Sequence, residues 1–243
     1  PETVEGGSDG SAVSNDAYVY PTGIYNSEAV KDKSWGTGAG MVVAVIDTGL
    51  DYSHEAFQTI PSTYRMTKDD IIEGVANTVA FERMAENGET MTADDVYISE
   101  KVPFAFDYAD TDVDVYPSYS NHGTHVAGIV AGQADSYVDK DGNVAKDENG
   151  NVMPFRGVAP DAQLVICKTF TDNLDSVSLG GAEAESIMAA LDDCVKLGVD
   201  VINMSLGTTA GFTTTDDGDD EGEIFDGIFK RIQKAGISLI CAA

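Results

Sequence analysis

Apolar runs recur along this chain at intervals, and each ends in polar or turn-forming residues. "GMVVAVID" (40–47) is continuous, rich in valine and isoleucine, and closes on an aspartate. A run of that kind predicts a strand buried on both faces, as parallel sheets require. "DAQLVICKTF" (161–170), "VDVINMSL" (199–206) and "GISLICAA" (236–243) have the same character. Helical spacing lies between them. Ile187, Ala190, Leu191 and Cys194 follow the i, i+3, i+4, i+7 pattern, with Gly198 as the stop. Phe225, Ile228, Phe229 and Ile232 repeat it, with Gly236 as the stop. "HGTHVAGIVAGQ" predicts a helix of small residues packed closely on its neighbours. Strands alternating with helices predict an α/β fold, a parallel β-sheet with helices on both faces. Sites in such sheets collect at the carboxyl ends of the strands. Asp47 and Ser205 both fall there.

Two stretches interrupt the alternation. Residues 52–119 contain one predicted helix, "TKDDIIEGVANTVAFERM", with Thr67 as N-cap and Asp70 at the third position. The rest of that stretch is acidic and turn-rich. Residues 134–156 carry two Asp/Asn-Gly turns and read as a surface hairpin. "TTTDDGDDEGE" (213–223) is a further acidic loop, and no internal repeat is found. The opening "PETVEGGSDGSAVSND" is small, polar and acidic. It reads as a flexible segment over residues 1–16 and as a matured N-terminus, not a targeting segment. Residues 17–243 read as one domain.

Composition changes the picture in one respect. The 243 residues include 42 acidic and 14 basic side chains, a net charge of −28. Phosphate binding needs the opposite sign, so nucleic acid is excluded as a partner and an anionic membrane surface is disfavoured. Cationic ligands and basic peptides would be attracted, and solubility is the plainer use of the charge. No run approaches the ~18 apolar residues of a membrane span. Three cysteines, Cys167, Cys194 and Cys241, form no CxxC pattern, and all lie in apolar stretches, so buried free thiols are expected.

The candidate chemistry sits in "SNHGTHVAGIVAG" (120–132), where His122 and His125 stand three apart. A zinc site lacks the HExxH pattern and a following carboxylate. Packing alone is one reading. The other is a general base. His122, at the head of a glycine-rich helix, would be exposed, and an aspartate at a neighbouring strand end could meet its ring. Such an aspartate fixes the tautomer and leaves the other nitrogen free to deprotonate a hydroxyl. Spacing alone leaves these readings open.

Four segments in order, "VVAVIDTGLDYSHEAF", "NHGTHVAGIVAG", "GVAPDAQLVICKTF" and "VDVINMSLG", resemble the successive signatures of the subtilisin-like serine proteases. The resemblance covers about residues 38–243 and is closest to the cell-envelope proteinase branch, which includes lactocepins and streptococcal C5a peptidases. It implies that Asp47 is the triad aspartate and His122 the general base. His125 matches a second, structural histidine, and His54 a non-catalytic position with a local hydrogen-bonding role. Ser205, Leu206 and Gly207 match one wall of the substrate cleft, and Gly180, Gly181 and Ala182 the other. Ser205 is then a wall residue and not the nucleophile.

In the family's pattern the oxyanion asparagine and the nucleophilic serine follow "CAA". The chain is therefore expected to be the N-terminal part of the catalytic domain and inactive by itself, with the serine elsewhere or on a second chain. The implied activity is a secreted or wall-attached bacterial serine endopeptidase acting on proteins or peptides, basic ones favoured by steering. The alternative is a non-catalytic binding or regulatory module of the same fold.

No cofactor is required. Structural Ca²⁺ is a secondary expectation, from the oxygen donors of Asp139, Asp141, Asn143, Asp147 and Asn149. Their order fits no EF-hand, since "DKDGNVAKDENG" puts Gly at position 4 and Glu at position 10, and a solvated hairpin is the preferred reading.

Overall fold

A computed structural model describes residues 36–138, 141–147, 149–172, 184–207 and 220–242. The expectations for residues 1–16, for Asp139 and for Gly180, Gly181 and Ala182 lie outside them. The strands are β1 (Val42–Asp47), β2 (Phe104–Asp107), β3 (Gln133–Ala134), β4 (Phe155–Arg156), β5 (Gln163–Lys168), β6 (Val201–Met204) and β7 (Ser238–Cys241). The helices are α1 (Lys68–Gly74), α2 (Val79–Glu86), α3 (Ala93–Val96), α4 (His122–Ala131), α5 (Ala184–Leu197) and α6 (Asp220–Ala235).

Five strands form one parallel sheet in the order β2-β5-β1-β6-β7. β1 and β5 are buried along their whole length, as their unbroken apolar runs predict. Alternate residues serve opposite faces. Val42, Ala44 and Ile46 join Phe104, Phe106, Val165 and Cys167 in a core closed by α5 and α6, through Ile187, Leu191, Ile228 and Ile232. Val43, Val45, Leu164 and Ile166 face the other way, onto Val126, Ala127 and Ala131 of α4. Helices thus cover both faces. Fully burying one such aliphatic side chain contributes about 1.5–3 kcal/mol, so the sheet's stability is spread over many small terms. α5 ends before Gly198 and α6 before Gly236, both at positive φ (67° and 76°).

Several expectations are corrected. β7 is not a buried strand. Ile240 is 55% exposed, and among the described residues β7 pairs with β6 alone. Cys241 on it is exposed, whereas Cys167 and Cys194 are buried as expected, 4.0 Å apart. β2 was not anticipated, being four residues long and set behind Pro103 among acidic turns. The predicted helix over 67–84 is two helices. Thr67 and Asp70 form the expected capping box on α1. The chain then breaks at Thr78, which caps α2 by accepting from the Phe81 N–H. Asp193, buried on α5, accepts from the Val79 and Ala80 N–H groups and from the Tyr108 hydroxyl. A carboxylate arriving from a distant helix satisfies the donors that a helix start leaves open.

The 134–156 segment is a hairpin-like loop, with bridges Val138–Val144 and Lys146–Val152 and glycine turns at Gly142 and Gly150. Asp147 accepts from the Asn149 and Asn151 N–H groups and the Asn151 amide, so its carboxylate closes its own turn.

Two lysines are almost wholly buried. Lys101 donates to the Pro160 and Ala162 carbonyls at 2.7 Å each. Burial pushes its pKa down to about 8 from 10.5, and Asp161 opposes the shift. Between those values the unfolded chain holds the proton and the native chain does not, so this group's contribution to stability grows as pH rises through the window and is lost as pH falls towards 8. Relative to a Lys101→Met variant, the parent should gain on the order of 2 kcal/mol between the two pH values, read from urea unfolding. A pH-independent difference between the two would show that Lys101 does not titrate in that window.

Lys168 is paired with Asp107 at the end of β2 and with Asp172 at 2.8 Å, and lies 3.9 Å from Asp110. Asp110 also binds the Thr171 hydroxyl and the Asp172 N–H. Removing one member of such a buried pair typically costs about 3–5 kcal/mol, since the other charge is left stranded.

Candidate active site

β1 delivers Asp47 to the carboxyl edge of the sheet, where the chain turns through "TGL". α4 begins at His122 against the same edge. His122 Nδ1 lies 2.8 Å from Asp47 Oδ1, between residues 75 apart in sequence. A carboxylate only accepts, so the ring donates from Nδ1 and its Nε2 is left as the basic nitrogen. Asp47 Oδ1 also accepts from the Thr48 N–H at 2.7 Å. Asp47 is buried, while half of the His122 side chain is open to solvent. One partner is therefore held rigidly and the other faces outward, the layout of a general base and its orienting acid. Asp47 Oδ2 is buried with no partner among the described residues.

Sequence reasoning missed the clasp that makes this contact possible. Thr48 Oγ1 donates to the Ser120 carbonyl and accepts from the Gly123 N–H. Thr124 Oγ1 accepts from the Asp51 N–H, and the Leu50 N–H donates to the Val115 carbonyl. Hydroxyls at 48 and 124 thus stitch the 47–51 turn to the first turn of α4. The signal lay in the threonines of "DTG" and "HGTH", whose short hydroxyls reach backbone groups.

Gly123 is required by distance. A Cβ on it would lie 2.3 Å from the Gly49 carbonyl oxygen and 3.1 Å from Asp47 Oδ1. Gly123→Ala must push α4 off the turn and part His122 from Asp47. In the full-length protein we expect turnover of a fluorogenic peptide to fall about 10²-fold, the usual effect of a misplacement near 1 Å. Overpacking should also cost about 1–3 kcal/mol in urea unfolding. Parental turnover would show that the close approach does not matter.

The other histidines divide. His54 Nδ1 accepts from the Ala56 N–H at 3.1 Å and caps a short 3₁₀ turn, the local role expected of it. His125 is exposed and does not lie in the core, so the packing expected of it is only partial. Partial burial of its ring, then the neighbouring His122, lower its pKa. Ser205 follows β6 directly and its hydroxyl accepts from the Asn203 amide at 2.9 Å. Leu206 packs partly buried against the main core, and Gly207 is exposed. Among the described residues, the carboxylates close enough to share a cation are Asp107, Asp110 and Asp172, and the Lys168 ammonium already lies among them. No helix among those residues is long and apolar enough to cross a membrane.

Comparison with known proteins identifies the family. The subtilase family model, Peptidase S8, matches residues 38–243. The PII-type proteinase of Lacticaseibacillus paracasei is 32% identical over 206 residues, covering 82% of this chain and 9% of that protein. The C5a peptidase of Streptococcus pyogenes serotype M18 is 33% identical over 181 residues, covering 72% and 13%. The chain therefore spans only about a tenth of these relatives. A cold adapted subtilisin-like serine proteinase of known structure aligns with a TM-score of 0.46 at 19% identity, over 86% of this chain and 48% of that one. With its sheet, its paired Asp47 and His122 and a family match running from residue 38 to 243, the chain belongs to the subtilase family of peptidases.

Proposed function

We propose that the full-length protein is a serine endopeptidase that cleaves proteins or peptides, with Asp47 and His122 as two members of its triad. The contact between His122 Nδ1 and Asp47 Oδ1 carries this reading. No residue of this chain is assigned the nucleophile's part. A serine hydroxyl brought against His122 Nε2 in the full-length protein completes the triad. Nε2 takes the hydroxyl proton as Oγ attacks the scissile carbonyl. The imidazolium, steadied by Asp47, then returns that proton to the leaving amine. An acyl-enzyme remains, and water releases it by the same steps in reverse. Ser205, Leu206 and Gly207 line the cleft, and an extended substrate binds along them by main-chain hydrogen bonds. The engaged Ser205 hydroxyl supports a wall role for that residue.

The charge of −28 favours basic substrates by steering, and the bacterial relatives support a secreted or wall-attached location. The test is a fluorophosphonate probe, which reacts with activated serines. It should label one serine of the full-length protein, and His122→Ala should abolish the labelling. A folded full-length protein that takes no label would favour the non-catalytic module instead.

A further inference from the structure

Three neighbouring strands end in Asp107, Lys168 and Asp47, and Lys168 is the register partner of both aspartates. Its ammonium turns away from Asp47, to Asp107 and Asp172. Its stem runs beneath the turn that follows Asp47. A Cβ on Gly49 would lie 3.0 Å from Lys168 Cδ on one side and 2.3 Å from the Val115 carbonyl oxygen on another, and φ at Gly49 is +104°. The Gly49 carbonyl in turn meets α4 at Gly123, beside Asp47 Oδ1. The Gly49 peptide is thus held between the lysine stem and the helix that carries His122. The Thr169 N–H also donates to the Asp47 carbonyl at 3.0 Å. A long unbranched stem is ordinarily free to change rotamer, and two carboxylates at its far end remove that freedom.

We propose that Lys168 is a positioning residue: its anchored stem is the floor under the Gly49 turn and holds Asp47 in place for His122. This rests on the triad reading above. The test is made in the full-length protein. Lys168→Met is combined with Asp107→Asn, so that no buried carboxylate is stranded. The peptide kcat should fall about ten- to a hundredfold with KM unchanged. In an Asp47→Asn background the same change should cost less than about twofold, because the group it acts through is already lost.

A second variant, Asp172→Asn, loosens the anchor from a residue that is 32% exposed and leaves the strands intact. It should lower kcat by a smaller factor, which also vanishes in the Asp47→Asn background. An equal loss in both backgrounds would mean a merely structural residue and overturn the proposal, as would an unchanged kcat in both variants. If Asp47→Asn alone leaves kcat intact, the triad reading fails, and that result is separate from either Lys168 outcome.

Discussion

Replacing His122 by alanine in the full-length protein is expected to abolish measurable turnover, with kcat falling by about 10⁶-fold. That size belongs to the equivalent histidine of subtilisin and is carried over by family membership. Among the described residues, His122 is the histidine that pairs with Asp47 and keeps its other ring nitrogen outward; His125 is three residues on. Half of the His122 side chain is exposed, so its loss leaves no core cavity and the melting temperature should hardly move. KM should also stay near the parent value, since the substrate contacts proposed above are main-chain bonds that do not involve His122. Steady-state kinetics beside thermal unfolding tests all three statements. A variant that retains even a hundredth of parental kcat would remove His122 from the role of base.

Asp47→Asn should cost about 10⁴-fold in kcat, for a different reason. The base remains, but the group that selects its tautomer does not. An amide can turn its Nδ2 towards the ring, which would move the ring proton to Nε2, the nitrogen that must accept. The imidazolium formed during reaction also loses its neighbouring negative charge. The two losses should not add. Asp47→Asn combined with His122→Ala should be no slower than His122→Ala alone, because the two residues act as a unit. Stability is a useful contrast. Asp47 holds one buried oxygen without a partner among the described residues. Its other oxygen holds the Thr48 N–H and the His122 ring, so an apolar replacement such as Asp47→Leu leaves a donor unpaired, and urea unfolding should show a loss of about 1–3 kcal/mol. Additive kinetic losses would mean that the two residues serve separate ends.

Much of this could be read before the fold was seen. β1, β5 and β6, and α5 and α6 with their glycine stops, follow from apolar periodicity, and α4 from its small residues, because in each the local preference and the tertiary environment agree. Where they disagree, or where the decisive partner is far away, the reading failed. The break at Thr78 lies inside a continuous helical pattern, and a carboxylate 114 residues away stabilises it. β2 is too short to show a period. Cys241 lies in an apolar run yet is exposed, since exposure depends on what covers a strand and not on its composition. At the site, the aspartate and histidine were legible from their motifs. The floor beneath them was not. Lys168 reads in sequence as a charge ending a strand, and only strand order shows that it lies between Asp47 and Asp107.

That strand order also governs how the molecule is made. β1 is synthesised well before either of its neighbours in the sheet, β5 at residues 163–168 and β6 at 201–204. Until then an apolar strand has both edges unpaired, and the long loops needed to pair them must close against chain entropy. During synthesis the nascent segment therefore has an extended interval in which β1 is open to wrong partners, including copies on neighbouring ribosomes. A chaperone that shields those edges would act on that interval and would leave no trace in the finished fold.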